Sequence, residues 1–483
     1  MPVPRSAQRR AGRYAEIVTL PKSPPELELT DTRRRARVPL PEGALSVYVC
    51  GVTPYDTTHL GHAFTFVQFD TLVRALRWLG REVTYVQNVT DIDDSILARA
   101  RRQGEDWQAL GRRETVRYLE DMRTLNVAAP DHFVAATSVI PEIRSMVERL
   151  LELGAAYATD GGSVFFRIAA SPHYGELSRL DRPGMLEIAA SQDDADVDDP
   201  RKEDPLDFAL WKGWSGSSDE PAWPSPWGPG RPAWHIECSA ICQRYLGPQV
   251  SIHGGGADLV YPHHESEIAQ SELATGRRPF VHAWLHTGMT RMDGVKMSKS
   301  LGNLVFVRDL VREHSGDAVR LYLLEHRYGG AFDWRPADLE SAARRMRRLR
   351  AAGDGTDRDD EARDRFAAAL LDDLDVPAAL RALDRAGGAT LRELAGVLGL
   401  ALGSADLDYP PRMTDDDAKA TGTDKDQPSL KPDESWGQGT DSTHPQSATG
   451  QPVERVDEAT ADDIGPLGRD ELPQTPTRDE KNT

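Results

Sequence analysis

Short runs of β-branched and aromatic residues alternate along the chain with segments of helical periodicity. Residues 46–50 and 83–89 have the composition of buried strands, and between them, over 59–79, apolar residues recur at helical spacing. Two more strand candidates follow at 250–253 and 281–287. Strand, helix and strand in this order predict an α/β fold that is built on a parallel sheet.

Composition divides the rest of the chain into regions. Residues 157–230 hold many of the tryptophans, prolines and glycines and indicate loops. Helical patterning is found at 112–153, 317–325, 337–352, 361–374 and 378–400. The predicted organisation is an N-terminal arm at 1–40, an α/β domain at 41–315 with an insertion at about 125–230, a helical domain at 316–403 and an acidic tail at 404–483.

The tail differs from the rest of the chain in charge and hydropathy. Residues 404–483 carry 19 acidic and 8 basic side chains, a net charge of −11 out of −19 for the whole chain. They contain almost no large apolar residues, so they cannot bury enough surface to offset the entropy lost on ordering. We therefore expect the tail to be disordered. The negative net charge also disfavours nonspecific binding to nucleic acid.

Cysteine content and hydropathy bear on the compartment. The three cysteines, Cys50, Cys238 and Cys242, are an odd and sparse set that fits a reducing cytoplasm better than a disulfide framework. No apolar run reaches the roughly 18 residues of a membrane span, and the N-terminus lacks the apolar core of a signal peptide. We expect a soluble, cytoplasmic monomer that does not bind membranes.

The first motif with evident chemistry is His59-Leu-Gly-His62, at the start of the first predicted helix. A helix N-terminus offers backbone N–H groups and the positive end of a dipole, which suits phosphate. The two imidazoles lie on one helical face and can donate to triphosphate oxygens, while Gly61 leaves room for a nucleotide. Taken alone, two ordinary histidines at a helix start would explain this tetrapeptide as well.

The second motif is Lys296-Met-Ser-Lys299-Ser300, which follows the turn signal Asp293-Gly294. Two lysines on such a loop can close over a polyphosphate and neutralise the charge on departing pyrophosphate. A solvated lysine pair is the alternative. The two motifs in this order favour a site for a polyphosphate. Together they resemble the class I aminoacyl-tRNA synthetases, which implies a Rossmann-like parallel sheet and an adenylating site that uses ATP with Mg²⁺.

A third constellation consists of metal-ligand residue types. Cys50 ends the first strand, Cys238 lies in a Trp-His-Ile-Glu-Cys segment, and His263 and Glu267 are four residues apart, which places them on one helical face. Zinc accepts thiolate, imidazole and carboxylate ligands together. Taken singly, such residues are more often buried cysteines or histidines at a helix start than metal ligands. Cys242 is interpreted as a core residue.

Four segments resemble the superfamily of cysteinyl-tRNA synthetases and mycothiol cysteine ligases: Cys50-Gly-Val-Thr-Pro-Tyr55, 234–238, 253–259 and 262–267. The resemblance covers roughly 46–333 and extends more weakly to about 402. It implies a class I synthetase sheet with an inserted subdomain, followed by a C-terminal α-helical domain. It implies one zinc ion that selects the thiol of L-cysteine, with ligands Cys50, Cys238, His263 and, as in the synthetases, Glu267. The catalytic residues that it implies are His59, His62, Lys296 and Lys299.

The same resemblance implies which residues bind ATP and cysteinyl-adenylate. Trp234 would stand beside the amino acid, and Asp258 would bind a ribose hydroxyl. For Thr65 and Thr290, ordinary hydroxyls in polar positions are an equal reading. The complete set is Cys50, Gly51, Val52, Thr53, Thr65, Asn88, Val89, Thr90, Trp234, Gly256, Ala257, Asp258, Thr290 and Lys299.

Two acceptors for the activated cysteine remain open. We favour the ligase, which joins cysteine to the amine of 1D-myo-inosityl 2-amino-2-deoxy-glucopyranoside (glucosaminyl-inositol) in mycothiol biosynthesis. The sequence of the histidine motif resembles that of the ligases, and no anticodon-binding domain is expected after about 402. The alternative is a synthetase that charges cysteine tRNA: residues 204–212 and 265–272 resemble that class, and Val197-Asp-Asp-Pro200 lacks the glycines of the corresponding ligase element. A retired relative that senses cysteine or a nucleotide is a third reading, against which the intact motifs argue.

Overall fold

The computed structural model describes residues 27–55, 58–191, 197–298 and 301–402. Along these residues the strands are β1 (Glu28–Asp31), β2 (Ala36–Pro39), β3 (Leu45–Val52), β4 (Val83–Val89), β5 (His132–Ala135), β6 (Ala156–Ala158), β7 (Val164–Phe166), β8 (Phe208–Gly213), β9 (Gly230–Pro232), β10 (Val250–Gly256), β11 (Val281–Thr287), β12 (Thr290–Met292), β13 (Val295–Lys296) and β14 (Phe332–Asp333). The helices are α1 (Leu60–Trp78), α2 (Asp94–Gln103), α3 (Trp107–Thr124), α4 (Ile140–Glu152), α5 (Arg182–Ala190), α6 (Trp234–Leu246), α7 (Glu265–Thr275), α8 (Val307–Glu313), α9 (Gly316–Leu324), α10 (Pro336–Ala352), α11 (Asp360–Leu371), α12 (Val376–Leu383) and α13 (Gly388–Val397).

Five parallel strands form the central sheet, in the order β11-β10-β3-β4-β5. The chain leaves β3 for β4 and β5 on one side, and later places β10 and β11 on the other side. This order puts a topological switch point between β3 and β10. Open α/β sheets bind ligands at such points, outside the carboxyl ends of the strands. The predicted α/β fold with a parallel sheet is confirmed.

Side chains along β3 alternate between the two faces of the sheet. Val47 and Val49 belong to the core cluster that includes helix α1. Tyr48 and Cys50 belong to the cluster that includes helices α4, α6 and α7. Successive residues of a strand point to opposite faces, so the Cys50 thiol lies on the side of α6 and α7, opposite α1.

The segment 112–153, which has helical patterning, also contains a strand. Helices α3 and α4 account for its two ends, but β5 lies between them and pairs in parallel with β4. Because β5 is only four residues long, its period of two is lost in a longer helical window. The insertion predicted at about 125–230 therefore begins too early, since β5 belongs to the central sheet. The residues after it build a separate antiparallel sheet in the order β6-β7-β8-β9.

Part of the predicted N-terminal arm is an ordered element of the fold. Strands β1 and β2 form an antiparallel hairpin that lies against the edge strand β11. The Thr32 N–H donates to the Trp284 carbonyl (2.8 Å), and the Trp284 N–H donates to the Asp31 carboxylate (2.9 Å). Leu29 of the hairpin is fully buried. The hairpin thus covers an edge of the central sheet, which protects that edge from pairing with another chain; residues 1–26 lie outside the described residues.

Helices α9 to α13 form a helical region after the sheet. Helices α9, α10 and α11 correspond to three predicted helices, but the single helix predicted at 378–400 is two, α12 and α13. Helix α13 begins at Gly388, whose φ of +53° is a left-handed conformation that favours glycine. The fully buried Arg320 on α9 donates to the Asp70 carboxylate on α1 and to the Leu398 carbonyl (2.6 Å). This side chain ties the helical region to the α/β domain.

The predicted acidic tail at 404–483 lies outside the described residues. The predicted domain boundary at 315 stays a prediction. Among the helices of the described chain, none is both long enough and apolar enough to cross a membrane.

Candidate active site

The histidine motif begins helix α1. His59 is the N-cap residue: its Nδ1 accepts hydrogen bonds from the backbone N–H groups of Gly61 (3.1 Å) and His62 (3.4 Å). The Leu60 N–H donates to the Val305 carbonyl (2.8 Å). The backbone N–H groups that the sequence offers to phosphate are therefore already bonded within the protein, because an imidazole and a loop carbonyl accept them.

The capping interaction also decides the tautomer of His59. A neutral ring that accepts at Nδ1 carries its proton on Nε2, which is then a hydrogen-bond donor. The ring of His62 stacks on it, with centroids 3.7 Å apart and an interplanar angle of 25°. The hydrogen-bond donors that this motif can offer to a phosphate are therefore imidazole N–H groups rather than backbone amides of the helix.

The end of β10 packs closely against the residues that follow it. A Cβ atom on Gly256 would lie 2.5 Å from Asp258 Oδ1, so this position accepts no side chain without a shift of that carboxylate. Ala257 and Asp258 continue the chain as a short 3-10 turn. The Asp258 carboxylate lies 3.6 Å from Lys296 Nζ, and both side chains are 53% exposed. The structure thus brings the predicted ribose ligand next to the first lysine of the lysine motif.

The two predicted threonine hydroxyls differ in their bonding. Thr65 on α1 shares a hydrogen bond of 2.7 Å with Thr287 at the end of β11. Thr290 on β12 is buried, and its Oγ1 has no hydrogen-bond partner among the described residues. A Cβ atom on Gly61 would lie 3.9 Å from that oxygen. Buried hydroxyls are rarely left without a partner, and the Thr290 hydroxyl lies beside the histidine motif.

The predicted residues on β3 and β4 join these two strands. Asn88 Oδ1 accepts a hydrogen bond from the Gly51 N–H (2.7 Å), and its Nδ2 donates to Thr90 Oγ1 (3.1 Å). A Cβ atom on Gly51 would lie 1.6 Å from the Asn88 carbonyl oxygen, so the close approach of the strands requires glycine. Asn88 therefore positions the end of β3. The strand ends also carry the predicted residues Val52, Thr53 and Val89.

The lysine motif lies only partly within the described residues. Lys296 ends β13 and is half exposed. Asn303 holds the two sides of the loop: its Oδ1 accepts from the Ser298 N–H (2.8 Å) and its Nδ2 donates to the Lys296 carbonyl (3.2 Å). Leu301, on the far side, is 59% exposed. Lys299 lies outside the described residues, so its place relative to the histidine motif stays a prediction.

The four predicted metal ligands come together in the interior. Cys50 is on β3, Cys238 on α6, Glu267 on α7 and His263 in the turn that precedes α7. All four are at most 5% exposed, and one ligand atom from each lies within 4.8 Å of the others. Cys50 Sγ lies 3.8 Å from Cys238 Sγ and 3.4 Å from Glu267 Oε1. His263 Nε2 lies 3.1 Å from the same carboxylate oxygen.

Burial and mutual contact shift the pKa values of these groups in different directions. Burial raises the pKa of Cys50 well above its usual value. Burial also opposes ionisation of Cys238, but the hydrogen bond with Cys50 and the neighbouring His263 outweigh it and lower the pKa of Cys238 to about 6. Against burial, the adjacent imidazoles lower the pKa of Glu267 to about 2, and the adjacent anions raise the pKa of His263 to about 10. The cluster therefore favours a charged thiolate and a charged carboxylate side by side.

This arrangement fits a metal ion. Two thiols, an imidazole and a carboxylate are a donor set that zinc accepts. His263 Nε2 is buried beside the Glu267 carboxylate (3.1 Å), so a metal ion held by both side chains would take the place of the proton that they share. Two further groups of three meet the same spacing: Cys50 with His253 and His264, and Cys242 with His253 and Glu267.

Histidines that sequence reasoning did not single out surround the cluster. His253 Nε2 lies 3.0 Å from Glu267 Oε2, and His264 Nε2 lies 3.3 Å from Cys50 Sγ. His253 begins the predicted glycine segment at 253–259, and His264 is adjacent to a predicted ligand. Because both histidines lie within motifs that the sequence analysis names, their position in those motifs is the signal that could have identified them. Their spacing along the chain does not show that they share one site, because they come from different elements.

Trp234 forms a wall of this site. It begins helix α6, and its ring stacks on that of His263 with centroids 4.4 Å apart and an interplanar angle of 22°. The next residue, His235, lies on another side, with its Nδ1 2.9 Å from His263 Nδ1. The predicted place of Trp234 beside an amino acid bound at the cluster is compatible with this stacking.

Known proteins resemble this chain over most of its length. Residues 36–344 match the family described as tRNA synthetases class I (C) catalytic domain. The chain is 45% identical over 414 residues to the L-cysteine:1D-myo-inositol 2-amino-2-deoxy-alpha-D-glucopyranoside ligase of Frankia casuarinae, which covers 84% of this chain and 88% of that protein. It is also 45% identical over 387 residues to the cysteine–tRNA ligase of Halorhodospira halophila, which covers 75% of this chain and 82% of that protein.

A solved structure shows the same fold. Methionyl-tRNA synthetase of Mycobacterium tuberculosis, bound by methionyl-adenylate, superposes with a TM-score of 0.52 at 15% identity and covers 75% of this chain and 86% of that one. At this identity the likeness concerns the fold alone, and it confirms the predicted class I synthetase architecture. The resemblance stated from the sequence motifs is likewise confirmed. The chain belongs to the family of class I (C) tRNA synthetase catalytic domains.

Proposed function

We propose that this protein activates L-cysteine with ATP to form cysteinyl-adenylate, and that it transfers the cysteinyl group to the amine of glucosaminyl-inositol. The observation that carries the proposal is the convergence of Cys50, Cys238, His263 and Glu267 next to the carboxyl end of β3, from which the chain leads into the histidine motif. The acceptor is the one named for a relative of 45% identity.

The thiol of the substrate is the group that distinguishes cysteine. One zinc ion held by Cys50, Cys238, His263 and Glu267 would take this thiol as a thiolate and leave the hydroxyl of serine protonated and weakly bound. The protein prepares such a site by burying all four side chains and by favouring ionised Cys238. A pocket that relied on shape alone would separate cysteine from serine poorly, because the two differ by one atom.

The phosphates of ATP would lie between the two sequence motifs. His59 and His62 would donate to phosphate oxygens through their rings, and Mg²⁺ would accompany the nucleotide. Lys296 and Lys299 would close over the triphosphate and neutralise the charge on departing pyrophosphate. Binding of ATP would then separate Lys296 from Asp258. Both side chains are half exposed, so the pair is weak and its loss costs little.

The first chemical step is an in-line displacement at phosphorus. A carboxylate oxygen of cysteine attacks the α-phosphorus, and the bond to the bridging β-phosphate oxygen breaks and releases pyrophosphate. Trp234 and Asp258 would hold the amino acid and the ribose in place for this step. The other residues that we propose to line the adenylate are Gly51, Val52, Thr53, Thr65, Asn88, Val89, Thr90, Gly256, Ala257 and Thr290.

The second step transfers the acyl group. The acceptor ammonium first loses a proton, and the free amine attacks the carbonyl carbon of cysteinyl-adenylate. The bond between that carbon and the phosphate oxygen breaks, and AMP leaves with the electron pair. The amine loses its second proton as the amide forms, and we propose that the adenylate phosphate accepts it.

The alternative acceptor is cysteine tRNA, which the names of equally similar relatives indicate. Four ligases for the inositol glycoside and two cysteine–tRNA ligases each align over 72–76% of this chain at 44–47% identity, and two further ligases align over 84% and 86%. Six of these eight relatives carry the name of the inositol-glycoside ligase, which favours the small-molecule acceptor.

A competition between the acceptors tests the proposal. The protein is incubated with ATP and radiolabelled cysteine and is then offered glucosaminyl-inositol and cysteine tRNA together. We expect the label in the amide product and none in the acid-precipitated tRNA. Label on tRNA alone would replace the proposed acceptor. The absence of both products and of cysteine-dependent pyrophosphate exchange would refute cysteine activation itself.

A further inference from the structure

A cavity of about 500 Å³ opens beside the candidate active site. Its walls are the sheet β7-β8-β9, residues 199–202 and the beginning of helix α6, all within the described chain. Small-molecule sites have volumes of roughly 300–1,000 Å³. The steps of cysteine activation proposed above do not use this cavity, which leaves its occupant to be identified.

One wall of the cavity is shared with the buried cluster of predicted metal ligands. Trp234 and His235 line the cavity, and both rings contact His263, one of the four clustered ligands. In a cysteine whose thiol is held at the cluster, the carboxyl carbon is three bonds from the sulfur, or roughly 4 Å. Only the side chains of Trp234 and His235 would therefore separate the cavity from the carbonyl group that an acceptor must attack.

Aromatic side chains supply flat apolar surface in the cavity. Phe165 on β7 and Phe208 on β8 line it, together with Trp214 just after β8. The indole N–H of Trp214 donates to the Ser217 carbonyl (3.0 Å), which fixes the ring. Such rings can pack against the C–H faces of a sugar or an inositol.

Five of the six charged side chains that line the cavity are held in ion pairs, and the sixth, Lys202, lies over an aromatic ring with its Nζ 5.9 Å from the ring centroid. Arg231 is 4% exposed; it bonds to Glu220 (3.1 Å) and to Asp94, which also accepts from Lys212. The pKa of Asp94 lies below its usual value, since these two cations outweigh burial. The wall therefore presents fixed hydrogen-bonding groups whose charges are largely compensated within the protein.

A second ion pair lies at the opposite rim. Arg201 binds the Asp199 carboxylate through Nε and NH2 at 2.9 and 2.6 Å, and the Asp199 side chain is only 7% exposed. Arg201 also donates to Ser163 Oγ (3.2 Å) on the sheet side of the cavity. Carboxylate and guanidinium groups fixed in this way can bond to ring hydroxyls without rearrangement.

From these contacts we infer that the cavity between β7-β8-β9, residues 199–202 and Trp234 is the acceptor subsite, and that it binds a neutral polyol ring whose neighbouring sugar carries the amine. This inference rests on the proposed function and adds the place where the acceptor binds. The cavity combines aromatic faces with fixed polar groups, as small-molecule sites do. Because three of the four cations that line the cavity are held in ion pairs, the cavity attracts the phosphodiesters of an RNA 3′ end less strongly than four free cations would.

Filling the cavity tests this assignment. Ala209 on β8 lines the cavity, and Ala209→Phe adds a ring where the acceptor would lie. We expect the KM for glucosaminyl-inositol to rise by roughly ten-fold or more, since that volume is no longer available. The milder Asp199→Asn, which keeps the shape but removes the charge, should raise it by roughly three- to ten-fold.

A matched control is available on the same sheet. Ala158 on β6 is exposed and does not line the cavity, so Ala158→Phe should leave both the KM for the acceptor and the exchange rate unchanged. Cysteine-dependent exchange of pyrophosphate into ATP, measured for every variant, reports whether the first step and the fold are intact. A rise in the acceptor KM in the control as large as in the cavity variants would overturn the assignment.

The remaining outcomes separate the two proposals. If Ala209→Phe and Asp199→Asn retain exchange and keep the wild-type KM for glucosaminyl-inositol, the cavity is not the acceptor subsite, although the proposed function stands. If the wild-type protein exchanges pyrophosphate but forms no amide, the proposed acceptor is wrong, and so is the polyol occupant. If Ala209→Phe also loses exchange, Asp199→Asn alone decides, by the same criterion.

Discussion

The buried cluster of predicted metal ligands (Cys50, Cys238, His263 and Glu267) and the lysine motif are both predicted from the sequence, but they differ in how far the protein alone organises them. The cluster draws Cys50, Cys238 and Glu267 from three regular elements, and each is at most 5% exposed. The lysine motif lies in a loop where Lys296 is 53% exposed and an adjacent leucine is 59% exposed. The cluster is therefore a buried and pre-organised site, whereas the lysine loop exposes charged and apolar side chains to solvent.

This difference matches the demands of the two substrates. Selection of a thiol requires ligands at fixed distances, and a buried site on a sheet and two helices provides them before substrate arrives. Neutralising a triphosphate requires that cations approach only when ATP is present, because lysines enclosed without a counter-charge would be costly. We therefore expect substitutions in the cluster to abolish both metal and cysteine binding, and substitutions in the loop to affect catalysis alone.

The largest effect should come from the cluster. Cys238→Ser replaces a thiolate with a poor ligand, and we expect kcat/KM for cysteine to fall by about 10³-fold or more, roughly 4 kcal/mol. Zinc content, measured by atomic absorption, should fall with it. Pyrophosphate exchange with cysteine gives the kinetic readout.

Cys242 provides the matched control for this prediction. It lies on the same helix and is equally buried, and it belongs to one of the alternative ligand groups, with His253 and Glu267. Cys242→Ala should retain zinc and cysteine activation. Loss of zinc in Cys242→Ala, with retention in Cys238→Ser, would show that the metal occupies the alternative group.

The next effect should come from the loop. Lys299→Ala removes a charge that would stabilise departing pyrophosphate, and we expect adenylation to slow by about 10²- to 10³-fold, roughly 3–4 kcal/mol. Zinc content and cysteine binding, measured by calorimetry, should not change. Lys299→Arg keeps the charge and should recover part of the rate. Normal turnover in Lys299→Ala would remove the lysine from the mechanism and would erase the contrast between the two regions.

Smaller effects on the KM and on stability should distinguish a hydroxyl that binds substrate from one that stabilises the fold. The buried Thr290 hydroxyl has no partner among the described residues, so Thr290→Val should raise the KM for ATP by about five- to ten-fold, roughly 1 kcal/mol, without lowering the Tm. Thr390 Oγ1 accepts a hydrogen bond from the Asp359 N–H (2.8 Å). Thr390→Val should therefore lower the free energy of unfolding by about 1 kcal/mol and leave the KM unchanged. Thermal unfolding and steady-state kinetics are measured on both variants. A loss of stability in Thr290→Val with an unchanged KM for ATP would contradict the prediction.

Sequence patterns predicted the elements that carry most of this site. The buried strands β3, β4 and β11 have seven or eight residues, most of them apolar or β-branched, so their composition is typical of a strand. The prediction at 250–253 covers only the first part of β10, because the strand ends in three glycines. The strand β5 was missed, because four residues between two helices do not alter a helical window. The hairpin at 28–39 was missed as well, since its arginines resemble a solvated arm and only its contact with β11 makes it part of the fold.

Within the site, residue types could be predicted but not their mutual bonding. The four clustered ligands follow from motifs, whereas the histidines beside them become evident only when strands and helices bring them together. The role of His59 as a helix cap was also not evident, because an imidazole is an uncommon cap and the expected ligand was phosphate. Such details depend on side-chain geometry, which spacing along the chain does not encode.

The central claim is that the buried cluster, through a metal ion, selects cysteine for activation. Exchange of pyrophosphate into ATP with cysteine and with serine, in zinc-loaded, zinc-depleted and zinc-restored protein, tests it most directly. We expect the zinc-loaded protein to favour cysteine by about 10⁴-fold or more, and we expect depletion to abolish exchange and restoration to return it. Equal rates with serine, or full exchange with cysteine after zinc is removed, would contradict the claim.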